Sequence, residues 1–309
     1  MKTKFLLAFV FIFSCQFFMS AQDTDKTLEN GLAELVKGFE GDVGIYVYNL
    51  KTQKEAALNA DTIFPTASIV KVPILIEVFN QIKIGSLHLN DTLVYDAKRV
   101  YGGSGLMQFY KDGTVTDLRT LVSLMITMSD NTTSLWCQEL VGGGITINKT
   151  MANLGLEHTR VNSRTEGRTA DWETYGWGQT TPREMASLLI KMKNRTLVNA
   201  AASDEMYRIM SNSFYTDYSL SQIPPYVQAA AKQGMVDQSR SELVMVNAPN
   251  GDYVFYIATK NNADASWGFD NKAWELQRRI AAYLWNYFEP ESDWKPAAGF
   301  ADLVTGLKY

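Results

Sequence analysis

A serine and a lysine three residues apart, Ser68 and Lys71, are the first pair in this chain whose types and spacing could do chemistry together. They open an apolar stretch that runs to about Ile84 and predicts a helix. Residues i and i+3 of a helix share a face, so the hydroxyl and the amine would lie side by side. Unpaired amides at a helix start favour a developing oxyanion, and a buried lysine with a lowered pKa can take a serine proton. The spacing recurs at Ser292 and Lys295, but that copy lies between two prolines and we discount it.

Two further polar groups lie later in the chain. The triplet Ser129-Asp130-Asn131 separates two apolar helical segments, and Lys232-Gln233-Gly234 ends a predicted strand. Each has an ordinary structural interpretation, as a helix cap for the triplet and a solvated strand end for the lysine. A second Lys-x-Gly unit, at Lys111-Asp112-Gly113, falls in a predicted turn. Taken singly, none of these groups identifies a site.

The elements that would position these groups follow from periodicity and turn signals. Residues 43–50 read as a strand, and residues 66–215 are mainly helical. Thr116 and Thr181 are predicted helix caps, the second with Pro182 at the first helical position and Glu184 completing a capping box. Three late strands are predicted at residues 227–232, 242–247 and 253–259, followed by a final helix over 271–288.

Strands at both ends of the chain predict one antiparallel sheet covered by the terminal helices, with a helical lobe inserted between them. The predicted divisions are an α/β lobe of residues 22–65 and 216–288, an all-α lobe of 66–215 and a C-terminal tail of 289–309. The site would then lie in the cleft between the lobes.

Composition excludes several classes of function. The two histidines, His88 and His158, are far apart, and no His/Cys group has metal-ligand spacing, so neither a zinc hydrolase nor a Ser-His-Asp triad is supported and no cofactor is expected. The net charge of −4 gives no nucleic-acid footprint. We expect a monomer that acts on small molecules.

The first 21 residues predict a signal peptide. Lys2 and Lys4 precede the apolar residues 5–13, and small residues precede a cleavage point between Ala21 and Gln22. The apolar run is too short to span a bilayer comfortably. Removal of the two lysines and of no acidic residue changes the net charge from −4 to −6. We therefore expect an exported protein, secreted or periplasmic, with no stable membrane span.

Taken together, in their order along the chain, the three polar groups indicate a family. S-x-x-K at a helix start, S-D-N between helices and K-x-G on a late strand together resemble the class A β-lactamases and related penicillin-recognising serine hydrolases. The stretch Gly103-Ser104-Gly105-Leu106 and the Gln179-Thr180-Thr181-Pro182 helix start also resemble that family. The resemblance implies an α/β (α+β) fold of the β-lactamase/transpeptidase type. In that fold a five-stranded antiparallel sheet is flanked by terminal helices and joined to an all-α lobe.

The resemblance also implies roles. Ser68 would attack the lactam or ester carbonyl, Lys71 would accept its proton, and Ser129 would protonate the leaving nitrogen with help from Lys232. Asn131 would bind the amide side chain of the substrate and orient Lys71.

Around these groups, the amides of Ser68 and Met235 would form the oxyanion hole, while Gly234 completes the third motif and Tyr101 lines the cleft.

The chain departs from the family pattern in its third motif. Gln233 stands where the family has a hydroxyl that helps to hold the substrate carboxylate. Arg240, eight residues after Lys232, could help to hold that carboxylate, or could be a solvated hairpin residue.

A second departure concerns the general base for deacylation. Glu166, two residues after Arg164, is the candidate, but the asparagine that follows it in the family is missing. Asp171 and Glu173 lie further along the same loop and read as exposed acids.

Three hypotheses therefore stay open. The first is an acyl-serine β-lactamase. The second is a D-alanyl-D-alanine carboxypeptidase or esterase of the same fold that deacylates β-lactams slowly or not at all. The third is a non-catalytic β-lactam sensor module.

Overall fold

A computed structural model describes residues 23–297 and 299 of the chain. The predicted signal peptide and the end of the predicted tail lie outside the described residues. The described helices are α1 (Lys26–Leu35), α2 (Lys71–Lys83), α3 (Leu118–Thr127), α4 (Asn131–Leu140), α5 (Gly143–Asn153), α6 (Thr169–Tyr175), α7 (Pro182–Lys193), α8 (Ala200–Met210) and α9 (Lys272–Phe288). The described strands are β1 (Asp23–Thr24), β2 (Asp42–Asn49), β3 (Lys54–Leu58), β4 (Phe64–Pro65), β5 (Thr92–Val94), β6 (Val115–Asp117), β7 (Arg160–Val161), β8 (Gly178–Thr180), β9 (Ala229–Val236), β10 (Ser239–Val246) and β11 (Tyr253–Lys260).

The main sheet is built from both ends of the chain, as predicted, in the order β1-β3-β2-β11-β10-β9. The expected five antiparallel strands are present as β3, β2, β11, β10 and β9. The expected count was wrong by one, because Asp23 and Thr24 add a short sixth strand parallel to β3. The backbone amide of Asp25 extends this pairing to the Glu55 carbonyl at 2.7 Å. The sheet is therefore mixed, with the site strand β9 at its opposite edge.

The two faces of the sheet belong to two apolar clusters. Along β11, Val254, Tyr256 and Ala258 pack with the helical segment, whereas Phe255 and Ile257 pack with α1 and α9. This alternation follows from the two-residue period of a strand, and it explains why β11 is apolar without interruption from Tyr253 to Ala258. The sheet is thus shared between both halves of the hydrophobic core.

The segment between the early and late strands is mainly helical, but four short strands, β5 to β8, lie within it. Strands β5 and β6 pair as a small ladder, and β8 pairs with β4 and β7. The second of these sheets ties Phe64 and Pro65, just before Ser68, to Thr180 and Gln179. The division into two lobes stays a prediction.

One of the two predicted helix caps, Thr181, is present in the structure. Thr181 caps α7 by accepting the Glu184 amide at 3.3 Å, as predicted. Glu184 does not complete a capping box, because its carboxylate instead accepts the backbone amides of residues 157–159. The predicted cap of α3 was wrong by one residue. Asp117, not Thr116, accepts the Thr120 amide at 2.8 Å.

Over the described ranges, no helix combines the length and the hydropathy needed to cross a membrane. The same residues contain no group of three or more His, Cys, Asp or Glu side chains that could hold a metal ion. Cys137 is buried as a free thiol.

Candidate active site

The structure brings Ser68 and Lys71 together at the entry to α2. Ser68 lies on a 3-10 turn over Ala67–Val70, and Lys71 is the first residue of the α-helix proper. The helix therefore begins later than predicted, but Lys71 Nζ still donates to Ser68 Oγ at 2.9 Å. Ser68 is partly exposed and Lys71 is buried. The hydroxyl thus faces an opening while its neighbouring amine is removed from water.

Lys71 is surrounded by oxygen acceptors. Besides Ser68, its amine donates to Ser129 O at 2.8 Å, to Ser129 Oγ at 3.2 Å and to Asn131 Oδ1 at 2.9 Å. Desolvation lowers the pKa of Lys71 to about 7, although the negative charge of Asp130 opposes the shift. A substantial fraction of Lys71 is therefore neutral near pH 7 and able to accept a proton.

The Ser-Asp-Asn triplet serves both as a helix cap and as part of the site. Asp130 caps α4 by accepting the Thr133 amide at 2.8 Å, and its other oxygen accepts the Met107 amide at 2.7 Å. Ser129 has a left-handed backbone, with φ of 55°, which costs about 1 kcal/mol for a residue other than glycine. This conformation aims both oxygens of Ser129 at Lys71.

Lys232 approaches the same serine from β9. Its amine donates to Ser129 Oγ at 3.0 Å and to the Gln233 carbonyl at 2.8 Å, and the side chain is fully buried. Desolvation and the neighbouring Lys71 cation hold the pKa of Lys232 well below its usual range. The Ser129 hydroxyl consequently lies within hydrogen-bond distance of two amines.

Gly234 allows β9 to approach the turn that carries Ser68. A Cβ at this position would lie 2.3 Å from the Thr66 carbonyl oxygen, so only glycine fits. Met235, the next residue, lines the same cavity as Ser68. The third motif is therefore packed directly against the first.

Arg240 does not reach the cavity. Its guanidinium donates to the carbonyls of Val236, Asp237, Ser239 and Ser266, and it packs over the rings of Trp267 and Trp274. The solvated-hairpin interpretation is wrong, because Arg240 is buried and holds the turn between β9 and β10. A role of Arg240 in holding the substrate carboxylate stays a prediction.

The predicted deacylation base does not line the cavity around Ser68, although the loop that carries it continues to Trp177, which does. Glu166 and Arg164 are exposed on a turn, and Glu166 is not among the residues that line the cavity. The loop is held instead by Arg168, whose guanidinium donates to Asn162 Oδ1 at 2.7 Å and to Gln179 Oε1 at 2.9 Å.

Arg168 also pairs with Asp171 at 3.1 Å, while Glu173 is exposed as expected. Within the part of the chain that the structure describes, no aspartate or glutamate side chain lines the cavity around Ser68.

The cavity has a volume of about 430 Å³ and an aromatic wall. Tyr101 lies edge-on to Trp177, with ring centroids 5.1 Å apart. The family resemblance identified Tyr101, but sequence reasoning missed Trp177, Tyr215 and Trp267, because isolated aromatic residues carry no spacing signal. The remaining lining residues include Gly103, Ser104, Asn131, Trp177, Tyr215, Gln233 and Trp267.

The chain is similar in sequence and in structure to known proteins. The profile of the beta-lactamase enzyme family matches residues 27–288. The β-lactamase VEB-1 of Pseudomonas aeruginosa is 21% identical over 296 residues, which cover 92% of this chain and 97% of VEB-1. The solved structure of PBP-A superposes with a TM-score of 0.77 at 25% identity, covering 87% of this chain and 98% of PBP-A. A β-lactamase structure from Chitinophaga pinensis has a TM-score of 0.76 at 21% identity, covering 84% and 99%.

Proposed function

Because the chain belongs to the β-lactamase enzyme family, we propose that it is a class A-like serine hydrolase that opens β-lactam rings through an acyl-enzyme on Ser68. One observation carries the proposal. Ser68 Oγ, Lys71 Nζ, Ser129 Oγ and Lys232 Nζ form a continuous series of contacts of 2.9, 3.2 and 3.0 Å beside an open cavity. A serine that must lose a proton and a leaving nitrogen that must gain one need such a series.

The acylation step follows from these contacts. Neutral Lys71 accepts the Ser68 proton as Ser68 Oγ attacks the lactam carbonyl, and the amides of Ser68 and Met235 stabilise the oxyanion. The C–N bond then breaks as Ser129 donates its proton to the ring nitrogen. Ser129 is reprotonated by the Lys71 ammonium at 3.2 Å, so the proton lost by Ser68 ends on the leaving group.

The surrounding residues position the substrate in this proposal. Asn131 holds Lys71 through its Oδ1 and is fixed in turn by its Nδ2, which donates to the Gly102 carbonyl at 3.0 Å. Tyr101 packs against the substrate side chain, while Lys232 keeps the Ser129 hydroxyl oriented.

A chromogenic cephalosporin tests the proposal directly. We expect steady release of the opened product, and we expect Ser68→Ala to reduce it at least about a thousandfold, because the nucleophile is lost. Turnover that survives Ser68→Ala would reject an acyl-serine mechanism.

A second candidate is favoured by the position of Glu166. A D-alanyl-D-alanine carboxypeptidase or esterase of this fold also acylates its serine, but it needs no carboxylate that activates water against a β-lactam adduct. Glu166 is exposed, and the described cavity lining holds no acid. A solved mutant of PBP-A is an acyl-enzyme complex with penicillin G.

Mass spectrometry separates the two candidates. One stoichiometric burst that leaves a stable adduct on Ser68 favours the carboxypeptidase or esterase, and continuous turnover favours the β-lactamase. Glu166→Gln adds a second measurement. Accumulation of the acyl-enzyme in this variant alone would assign Glu166 as the deacylation base.

We also propose that the protein is exported, cleaved between Ala21 and Gln22, and works as a monomer. The apolar segment behind Lys2 and Lys4 supports export. Amino-terminal sequencing of the mature protein tests the cleavage point, and sedimentation tests the monomer.

A further inference from the structure

A buried acid lies behind the third motif and has no part in the acylation step. Glu242 on β10 is the direct partner of Gln233 on β9, and it is only 1% exposed. Residues directly opposite each other on antiparallel strands project to the same face of the sheet. Glu242 and the Gln233 side chain are therefore neighbours, and Gln233 lines the cavity that contains Ser68.

The amide of Gln233 has hydrogen-bonding capacity to spare. Its Nε2 is buried and has no hydrogen-bond partner within residues 23–297 and 299. A buried donor without a partner is costly, so a substrate acceptor that relieved it would bind favourably. This edge of the cavity can therefore accept a hydrogen-bonding group of the substrate.

Among the described residues, no lysine or arginine lines this cavity. Arg240 is committed to backbone carbonyls and two tryptophan rings. Lys232 faces Ser129 and has a lowered pKa. The residue directly opposite Gln233 in the strand pairing is instead an acid, Glu242.

We propose that Gln233 and Glu242 determine specificity at this edge of the cavity: Gln233 supplies an uncharged hydrogen-bond donor, and the ionised form of Glu242 disfavours an anionic group of the substrate. The inference rests on the proposed function, because acylation of Ser68 is its readout. The expected ligand beside Gln233 is an ester, an amide or another neutral acceptor.

The surroundings of Glu242 support a change of charge near neutral pH. Glu242 Oε2 accepts the Ser219 amide at 2.9 Å, and none of the salt bridges among the described residues involves Glu242. The charged or titratable groups that face it are Lys232 from β9, Arg278 from α9 and Tyr218 before the 219–222 turn.

Desolvation raises the pKa of Glu242 to about 7, although Ser219 and the more distant Arg278 and Lys232 oppose the shift. A substrate carboxylate stays ionised from pH 6 to 8. It therefore meets a mostly neutral Glu242 at pH 6 and a mostly ionised one at pH 8.

The test compares a chromogenic cephalosporin with its C4 methyl ester, on the whole mature protein. The measurement is the second-order rate constant for acylation of Ser68 at pH 6 and pH 8. The ratio of the carboxylate to the ester cancels the titration of Lys71, which both substrates share. We expect the carboxylate-to-ester ratio to be below about ten at pH 8. At pH 6 the ratio should be higher than at pH 8 by severalfold, up to about tenfold.

Glu242→Gln provides the second arm, because it removes the charge and keeps the shape. We expect it to raise the carboxylate-to-ester ratio at pH 8 by about tenfold and to abolish the pH dependence of the ratio. Glu289→Gln is the matched control, since Glu289 is also buried but lies at the end of α9. It should leave the ratio unchanged.

A wild-type ratio above ten at pH 8, or a ratio that does not change between pH 6 and pH 8, would overturn the inference even if Glu242→Gln failed to fold. Failure of both substrates to acylate Ser68 would instead overturn the proposed function, on which the inference rests.

Discussion

Lys71 changes its charge near neutral pH. Burial lowers its pKa to about 7, and its amine contacts the nucleophile at 2.9 Å. Only the neutral amine can accept the Ser68 proton. Because the pKa is lowered, the active form dominates above pH 7 and is lost as the pH falls below it.

The acylation rate should therefore rise about tenfold from pH 6 to a plateau near pH 8. The cephalosporin methyl ester is the suitable substrate, since it does not respond to Glu242. Stopped-flow measurement of the acylation rate constant gives the profile. Lys71→Arg should lower the plateau by about a thousandfold, because an arginine does not deprotonate. A flat profile between pH 5.5 and 8.5 would exclude Lys71 as the base.

The individual residues show which sequence signals carried information. Five of the predicted site residues are connected by hydrogen bonds, namely Ser68, Lys71, Ser129, Asn131 and Lys232. The order of their motifs along the chain is what predicted that they share one site.

Arg240 and Glu242 could not be placed in this way. Whether a hairpin residue faces a cavity depends on strand register, and register is set by packing over the whole sheet. Glu166 kept the family spacing, but the loop around it is held by Arg168, a contact that no spacing rule indicates.

At the scale of elements, the site depends on the close approach of β9 to the turn before α2. Gly234→Ala would place a methyl group 2.3 Å from the Thr66 carbonyl oxygen, and backbone atoms cannot yield cheaply. We expect a loss of about 1–3 kcal/mol in the free energy of unfolding and a fall of at least about a hundredfold in acylation.

Gly102→Ala is the control for this substitution, because the nearest atom to its new methyl group would be Gln108 Oε1 at 3.7 Å. It should change the free energy of unfolding by less than about 0.5 kcal/mol. Equal effects of the two substitutions on urea unfolding would contradict the steric explanation.

The start of α4 is stabilised by a single buried carboxylate. Asp130 accepts both the Thr133 amide and the Met107 amide, so it fixes the helix and the loop over it together. Asp130→Ala should cost about 2–4 kcal/mol of unfolding free energy, because one cap and one buried hydrogen bond are lost.

Asp130→Asn should cost less, since its single amide oxygen can still cap the helix. Urea titration followed by circular dichroism measures both variants. If Asp130→Asn and Asp130→Ala lowered the free energy of unfolding equally, the helix cap would make no measurable contribution of its own.

Over the whole molecule, one sheet serves both halves of the hydrophobic core. Val254, Tyr256 and Ala258 face the helical segment, while Phe255 and Ile257 face α1 and α9. The two clusters therefore cannot lose their packing independently. The strands at both ends of the chain made the sheet predictable, whereas the six-strand count depended on a two-residue contact at Asp23–Thr24.

We expect one cooperative unfolding transition, even though the sequence suggests two lobes. Leu284→Ala in α9 removes a fully buried side chain from the cluster on the far face of the sheet from the helical segment, and should cost about 2–5 kcal/mol. Acylation activity and the circular dichroism of the helices should then be lost at the same, lower urea concentration. Phe109→Ala, which truncates a side chain that is 77% exposed, should leave that midpoint unchanged. If activity in the Leu284 variant disappeared well before the helical signal, the α/β part would be unfolding alone, and the shared sheet would not couple the two clusters.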